Sequence, residues 1–144
     1  MIRTCTEVDI PAIVHLQQQW VLEQNVYGYA ADTADELRAR LNEHCLVAED
    51  NARVIGFLLA SVHVSPGMAV IAQGERYVEV DDLYVSVEMR QRGIGSQLLH
   101  EMERRARADG VERFLLYSAV KDLDAILHFY RNHGFQSWYV QMFK

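Results

Sequence analysis

The stretch Val85-Ser86-Val87-Glu88-Met89-Arg90-Gln91-Arg92-Gly93-Ile94-Gly95-Ser96-Gln97-Leu98-Leu99 decides how this chain is interpreted. An apolar, β-rich run ends near Val85, a basic turn follows, and an amphipathic helix is predicted to begin at about Ile94. Gly93 and Gly95 have no Cβ, so the backbone can take unusual dihedral angles and approach a ligand closely. An ordinary strand-to-helix corner would use the same glycines, so the loop alone leaves both interpretations open.

The chemistry of this turn is that of a phosphate site. The N–H groups of residues 91–96 would point outward at the positive end of a helix macrodipole, where phosphate binds readily. Arg90 and Arg92 would add two full positive charges beside them. A Walker-type loop is excluded because Ser96-Gln97 follows the last glycine. A dinucleotide fingerprint is excluded because Leu98 stands where a small residue is needed.

The composition predicts an ordinary globular protein. The chain has 144 residues, 50% of them apolar and 24% charged, so we predict a single domain over residues 1–144. The net charge of −6 argues against a nucleic-acid surface and favours cationic partners, although solubility alone would also explain it. No run suits a membrane span or a signal peptide, and Cys5 and Cys45 have no metal-type spacing. We therefore expect a cytoplasmic protein with no membrane partner and no metal.

Hydrophobic periodicity predicts a mixed α/β fold. We expect strands over 2–6, 46–49, 54–64, 77–85, 114–119 and 135–143, and helices over 9–24, 33–43, 94–110 and 122–133. Asp9 is the predicted N-cap of the first helix, and Thr33 with Glu36 has the pattern of a capping box. The strand–helix–strand order after residue 77 implies locally parallel strands, whereas the earlier hairpin makes the sheet mixed. Residues 68–72 fit an edge strand, a loop over a pocket or a dimer contact.

The strand over 77–85 contains a slip in its apolar pattern. Val78 and Val80 share one face, but the apolar positions resume at Leu83 and Val85, out of step by one residue. A period-two structure absorbs such a shift only by inserting one residue, so we predict a β-bulge near Asp81-Asp82. The alternative is that the strand simply breaks there.

Tyr130 lies on the apolar stripe of the last predicted helix, so its ring is expected to face the interior. A core aromatic residue would need only a partner for its hydroxyl. However, the segment Phe129-Tyr130-Arg131-Asn132-His133-Gly134-Phe135 resembles the Tyr-x-x-x-Gly-Phe ending of the GCN5-related N-acetyltransferase (GNAT) superfamily. The Arg-x-x-Gly-x-Gly pattern from Arg90 to Gly95 resembles the acyl-CoA pyrophosphate loop of that superfamily. The order of elements from residue 2 to residue 143 resembles it as well.

The resemblance implies a GNAT-like fold, in which a central mixed sheet with one bulged strand, splayed from its neighbour, is flanked by helices. It also implies acetyl-CoA as the co-substrate. Backbone groups of Leu83, Tyr84 and Val85 would bind its acyl and pantetheine portion. Its pyrophosphate would be held by the loop residues Arg90, Gln91, Arg92, Gly93, Ile94, Gly95 and Ser96. Tyr130 would protonate the departing thiolate, since a tyrosine with a pKa of about 10 is protonated at neutral pH.

The acceptor amine must lose a proton, and Glu79 on the bulged strand is the candidate general base. Its position matches a strand glutamate that some protein-modifying members of the superfamily use. Asp81 and Asp82 would raise its pKa by like-charge crowding, form a water relay or bind an ammonium group. A solvated acidic strand face is the alternative.

Trp20, Tyr27 and Tyr29 lie where the superfamily builds its acceptor pocket, between the first two helices. An aromatic wall beside Asp81 and Asp82 would suit a cationic amine. Ordinary packing of these rings is the alternative.

We therefore predict an acetyl-CoA-dependent N-acetyltransferase whose acceptor is a primary amine, with a small cationic metabolite favoured. Two departures from the superfamily pattern leave alternatives. Leu123 stands where members often have an asparagine that contacts pantetheine, which motivates a non-catalytic acyl-CoA sensor as the second hypothesis. A protein acetyltransferase acting on an N-terminus or a lysine is the third. Only nine residues follow Phe135, so the substrate wall there is short or comes from the second subunit of a homodimer.

Overall fold

The centre of the computed structural model, which describes all 144 residues, is a five-stranded sheet. Its strands are β1 (Ile2–Thr4), β2 (Leu46–Asp50), β3 (Arg53–Val64), β4 (Arg76–Val85) and β5 (Arg113–Leu116). They lie side by side in the order β1-β2-β3-β4-β5. The pairs β1–β2, β2–β3 and β3–β4 are antiparallel, whereas β4 and β5 are parallel. The predicted mixed sheet is confirmed.

Helices pack on both faces of this sheet. They are α1 (Ile10–Glu23), α2 (Ala34–Arg40), α3 (Ile94–Ala108) and α4 (Leu123–Asn132). The predicted capping box is confirmed, since Glu36 N–H donates to the Thr33 hydroxyl and Thr33 N–H donates to the Glu36 carboxylate. Asp9 precedes α1 as predicted, but its carboxylate accepts hydrogen bonds from Arg3 instead of capping the helix. No helix is both long and apolar enough to cross a lipid bilayer.

β3 supplies side chains to two separate cores. Leu58 packs with α3 on one face of the sheet, while Phe57 and Leu59 pack with α1 and α2 on the other. All three are fully buried, because successive residues of a strand point to opposite faces and both faces are covered. This two-sided burial agrees with the continuous apolar run in the sequence.

The predicted β-bulge is present in β4. Ala60 lies opposite Val80 and Leu59 lies opposite Asp82, so Asp81 has no partner on β3. The inserted residue moves the side chains of β4 by one position. As a result, Glu79, Asp81 and Asp82 all face the α1 and α2 side of the sheet, whereas the valines before the bulge face α3.

β4 and β5 separate beyond the bulge. They pair only between Tyr77–Val80 and Arg113–Leu116, although β4 continues to Val85. The edge of β4 that faces β5 is therefore open over its last five residues. The splayed strand predicted from the resemblance is confirmed.

The predicted final strand over 135–143 is wrong. Residues 135–144 form no regular structure, and from residue 136 onward every residue is exposed. β5 is also shorter than predicted and only half-buried, since it ends at Leu116. Both differences have one cause: β5 has no neighbour on its outer edge, and the chain after α4 does not lie there. Residues 68–72 form a loop in which Ile71 is buried.

Candidate active site

The corner between β4 and α3 presents a row of free N–H groups. Gln91 and Gly93 have φ angles of 62° and 76°, in the left-handed region. The N–H groups of residues 91–96 around these two positions donate no hydrogen bond to the protein backbone. Gly93 directly precedes α3, so the six donors lie at the positive end of that helix. Such an arrangement binds an anion.

The two arginines of the corner have different partners. Arg90 donates two hydrogen bonds to Glu23, at 2.7 and 2.8 Å, and its Nε donates to the carbonyl oxygen of Val85 at 2.9 Å. Burial opposes ionisation of Glu23, but its hydrogen bonds from Arg90 and Tyr84 prevail and lower its pKa. Arg92 is exposed and has no carboxylate partner. It lines a cavity of about 180 Å³ beside β1 and β2.

The open edge of β4 begins where its pairing with β5 ends. Leu83, Tyr84 and Val85 pair with β3 on one side only. β3 approaches this segment closely at Gly56, where a Cβ would lie 2.9 Å from the Tyr84 carbonyl oxygen. The glycine therefore allows β3 and β4 to approach closely here, while the other edge of β4 is unpaired.

Tyr130 projects from α4 onto the core beside α3. Its ring meets Phe129 and Phe135 edge to face, with centroids 5.1 and 5.6 Å apart. Burial raises the pKa of Tyr130 to about 12, and its hydroxyl donates no hydrogen bond within the protein. The side chain is thus held by packing alone and carries its proton at neutral pH.

Glu79 belongs to a chain of polar groups across β3 and β4. Its carboxylate lies 3.6 Å from Nε2 of His63, and that nitrogen lies 2.8 Å from the Ser61 hydroxyl. Ser61 donates in turn to Asp81 at 3.1 Å. Sequence analysis missed Ser61 and His63, because their proximity to Glu79 depends on the register between the two strands.

Asp82 lies in a second, buried polar network. Gln17 of α1 donates to Asp82 at 3.2 Å and to Asp32 at 2.8 Å. Arg40 of α2 pairs with Asp32 and lies 3.8 Å from Asp82. Burial raises the pKa of Asp82, although Arg40 and Gln17 oppose the shift. Sequence analysis missed the three partners, which belong to three different segments.

The predicted aromatic wall is assembled in part. The ring of Trp20 lies 4.2 Å from that of Tyr29 and 5.0 Å from that of Tyr84. The Tyr29 hydroxyl is buried without a hydrogen bond, and burial together with the charge of Asp82 raises its pKa. Tyr27 lies apart from this group, against Phe143.

A cavity of about 510 Å³ opens beside the bulge. It lies between α2 with its following loop and the second half of β3. Its polar lining includes Arg40, Asn42, Glu43, Ser61 and Asp81. The cavity is large enough for a small metabolite next to the acidic residues of β4.

His100 and His133 meet beside the corner. Ser96 Oγ lies 3.0 Å from Nε2 of His133, and Nδ1 of His133 lies 3.2 Å from Nε2 of His100. Burial and the neighbouring His100 lower the pKa of His133. These contacts join the start of α3 to the end of α4, and the absence of a metal stays a prediction.

Comparison with known proteins gives a family and a fold. The model of the acetyltransferase (GNAT) family matches residues 14–135. No curated protein matches the chain. A predicted acetyltransferase from Clostridium acetobutylicum, solved with acetyl-CoA, is 16% identical, with a TM-score of 0.74 over 99% of this chain and 94% of that one. An aminoglycoside acetyltransferase from an uncultured soil metagenomic sample, solved with trehalose, is 21% identical, with a TM-score of 0.73 over 100% and 94%. A ribosomal-protein-alanine N-acetyltransferase from Brucella melitensis is 16% identical, with a TM-score of 0.73 over 100% and 97%.

Proposed function

The chain belongs to the acetyltransferase (GNAT) family, and we propose that it transfers the acetyl group of acetyl-CoA to the primary amine of a small cationic metabolite. One observation carries the proposal. Six consecutive N–H groups, of residues 91–96, are free at the start of α3, directly beside the open edge of β4. A diphosphate next to an extended amide-containing chain needs both features side by side.

The diphosphate of acetyl-CoA fits the corner by charge and by hydrogen bonding. The six N–H groups donate to its oxygens, and Arg92, an exposed residue of the same turn, would add a positive charge. Arg90 acts differently, because Glu23 already holds it. Through its hydrogen bonds to Glu23 and to the carbonyl oxygen of Val85, it connects the corner to the end of α1 and the end of β4. The amides of the pantetheine arm would bind the free edge of Leu83, Tyr84 and Val85.

Acetyl-CoA supplies an activated acetyl group, and side chains of this protein would move two protons. Glu79 accepts a proton from the acceptor ammonium, so that the amine nitrogen has a lone pair for attack on the thioester carbonyl. A C–N bond forms and the C–S bond breaks, and the nitrogen, which is cationic after the attack, loses a second proton to water. Tyr130, which carries its proton at neutral pH, donates it to the departing thiolate. The thiolate of a thiol with a pKa of about 8.5 accepts that proton readily.

The acidic face of β4 favours a cationic acceptor. Glu79, Asp81 and Asp82 lie on one side of the sheet. Arg40 is the one arginine or lysine side chain whose positive charge lies close to this group. The rings of Trp20 and Tyr29 adjoin this face and would pack on the apolar part of the acceptor. The 510 Å³ cavity beside Asp81 would hold the remainder of a small molecule.

A panel of amines tests this proposal through the release of free CoA thiol from acetyl-CoA. We expect turnover with small di- and polycationic amines and much slower turnover with neutral or anionic amines of equal size. Turnover only with peptides would replace this proposal by protein acetylation. CoA binding without thiol release from any amine would replace it by an acyl-CoA sensor.

A further inference from the structure

Three side chains that can bind a metal meet where the loop after α2 approaches the end of α3. They are Glu43, His44 and Asp109, and one ligand atom from each lies within 4.8 Å of the other two. Glu43 and His44 lie between α2 and β2, whereas Asp109 directly follows α3. Since α2 and α3 pack on opposite faces of the sheet, the cluster connects the two layers of the molecule.

His44 is buried, and its imidazole ring has no hydrogen bond to the protein. The side chain is 3% exposed, and its Nδ1 is fully buried without a partner. Its Nε2 lies 3.8 Å from Oε1 of Glu43, which is too far for a hydrogen bond. A buried polar ring without partners costs folding free energy. Coordination of a metal ion through Nε2 would offset this cost, because no protein donor occupies the lone pair of that nitrogen.

The two carboxylates of the cluster have no arginine or lysine partner. Glu43 has an ion-pair contact only with His44, and Asp109 has no ion pair. Arg76 does approach Asp109, but it donates to the backbone carbonyl oxygen at 2.6 Å and leaves the carboxylate unpaired. Two carboxylates therefore lie beside an imidazole without a bound cation from the protein itself.

We propose that Glu43, His44 and Asp109 bind one Zn²⁺ ion, which ties the loop before β2 to the end of α3. One imidazole with two carboxylates suits zinc, whereas Mg²⁺ and Ca²⁺ prefer oxygen ligands alone. Three protein ligands leave the fourth position of a tetrahedral site to water. This site replaces the expectation that the chain binds no metal, which rested on the lack of a ligand pattern in the sequence.

The backbone on both sides of the site is already fixed. His44 N–H donates to Oδ1 of Asn42 at 2.8 Å, and Nδ2 of Asn42 donates to the carbonyl oxygen of Ala60 on β3 at 2.8 Å. Asp109 N–H donates to the last turn of α3 at 3.0 Å. Ligand atoms around tetrahedral Zn²⁺ are roughly 3.3 Å apart, so the side chains need to close by about 1.5 Å at most. Glu43 and Asp109 are exposed and can do so by changing rotamer.

Titration of the untagged protein with ZnCl₂, without acetyl-CoA, tests the site independently of the proposed acetyl transfer. We expect calorimetry to give one ion per chain, and the melting temperature to rise by about 5 °C or more when Zn²⁺ is at about 100 times its Kd. MgCl₂ and CaCl₂ at the same concentration should leave the melting temperature unchanged. Cys5 and Cys45 are buried, and burial raises the pKa of both thiols, so they do not compete in the folded protein.

Substitution of the two exposed ligands tests the assignment without disturbing the core. In Asp109→Asn and in Glu43→Gln we expect the affinity for Zn²⁺ to fall about tenfold or more, since even changes beyond the ligands cost that much. Asp124→Asn is the matched control, because Asp124 is an exposed and unpaired carboxylate on α4. Its affinity for Zn²⁺ should equal that of the parent.

The pair of His100 and His133 is the competing site, since two of their ring nitrogens lie 3.2 Å apart. His100→Gln removes one of these nitrogens at an exposed position and should leave Zn²⁺ binding intact. Any of four results would overturn the proposal: no binding of Zn²⁺, equal stabilisation by Mg²⁺ or Ca²⁺, parental affinity in both ligand variants, or loss of binding in His100→Gln.

Discussion

The guanidinium of Arg90 is held by the carboxylate of Glu23 through two hydrogen bonds of 2.7 and 2.8 Å. Glu23 is the last residue of α1, and it also accepts the hydroxyl of Tyr84 at 2.7 Å. One carboxylate thereby joins α1, the end of β4 and the corner of free N–H groups. Glu23 and Arg90 are separated by 67 residues in sequence, so no local sequence pattern predicts their contact.

Weakening this contact should loosen the corner. In Glu23→Gln we expect the KM for acetyl-CoA to rise about five- to tenfold, which corresponds to a loss of about 1–1.4 kcal/mol of binding free energy, with kcat nearly unchanged. Steady-state kinetics with varied acetyl-CoA measures this. Glu101→Gln is the matched control, because Glu101 also forms ion pairs with arginine, here Arg104 and Arg105, but lies on α3 away from the corner. An unchanged or lower KM in Glu23→Gln would contradict the bracing role of Glu23.

Removing the Tyr130 hydroxyl should slow the chemical step. In Tyr130→Phe we expect kcat to fall about 10²- to 10³-fold, the usual contribution of a positioned acid, while CoA binds within twofold of the parent. Because the pKa of Tyr130 is raised to about 12, kcat of the parent should show no loss from its ionisation below about pH 10. Tyr139→Phe, at an exposed position, controls for the substitution itself. Full activity in Tyr130→Phe would remove Tyr130 from the mechanism.

Replacing the proposed base should make turnover depend on the ionisation of the amine alone. In Glu79→Gln we expect kcat to fall about 10²-fold at pH 7 and to recover as the pH approaches the pKa of the acceptor amine. A pH series with one amine measures this recovery, and Glu75→Gln on the neighbouring loop is the control. A loss of activity that is equal at every pH would show that Glu79 is not the base.

Neutralising Asp82 should remove a cost of folding at neutral pH. Burial raises the pKa of Asp82 in the folded protein, because it disfavours the charged carboxylate. The protonated carboxyl therefore contributes most to the free energy of unfolding below its unfolded pKa of about 3.9. This contribution is lost as the pH rises through the pKa of the folded protein. Relative to the parent, Asp82→Asn should therefore gain in unfolding free energy between pH 4 and pH 7. Urea unfolding at both values measures the change, with the exposed Asp35→Asn as the control. A variant that loses stability relative to the parent over this interval would contradict the sign of the shift.

Local patterns in the sequence predicted the parts of the site that depend on backbone geometry. The apolar slip between Val80 and Leu83 predicted the bulge, because a period-two strand has one way to absorb a single extra residue. Gly93 indicated unusual dihedral angles before α3, and its φ of 76° lies in the left-handed region, whereas Gly95 lies within the helix. Both signals lie within ten residues of the feature that they predict.

Contacts between distant segments could not be predicted in the same way. Gln17, Asp32, Arg40 and Asp82 come from α1, the following loop, α2 and β4, and only the packing of these elements brings them together. The strand predicted after Phe135 shows a second limit. Residues 137–143 have the composition of a strand, but a strand also needs an edge to pair with, which composition does not reveal.

Binding of CoA, measured by isothermal titration calorimetry beside pantetheine, tests the central claim most directly, since pantetheine lacks the diphosphate. We predict one CoA bound per chain, with an affinity at least tenfold higher than that for pantetheine, because the free N–H groups of residues 91–96 hold the diphosphate. Absence of CoA binding, or equal affinity for the two ligands, would contradict the account.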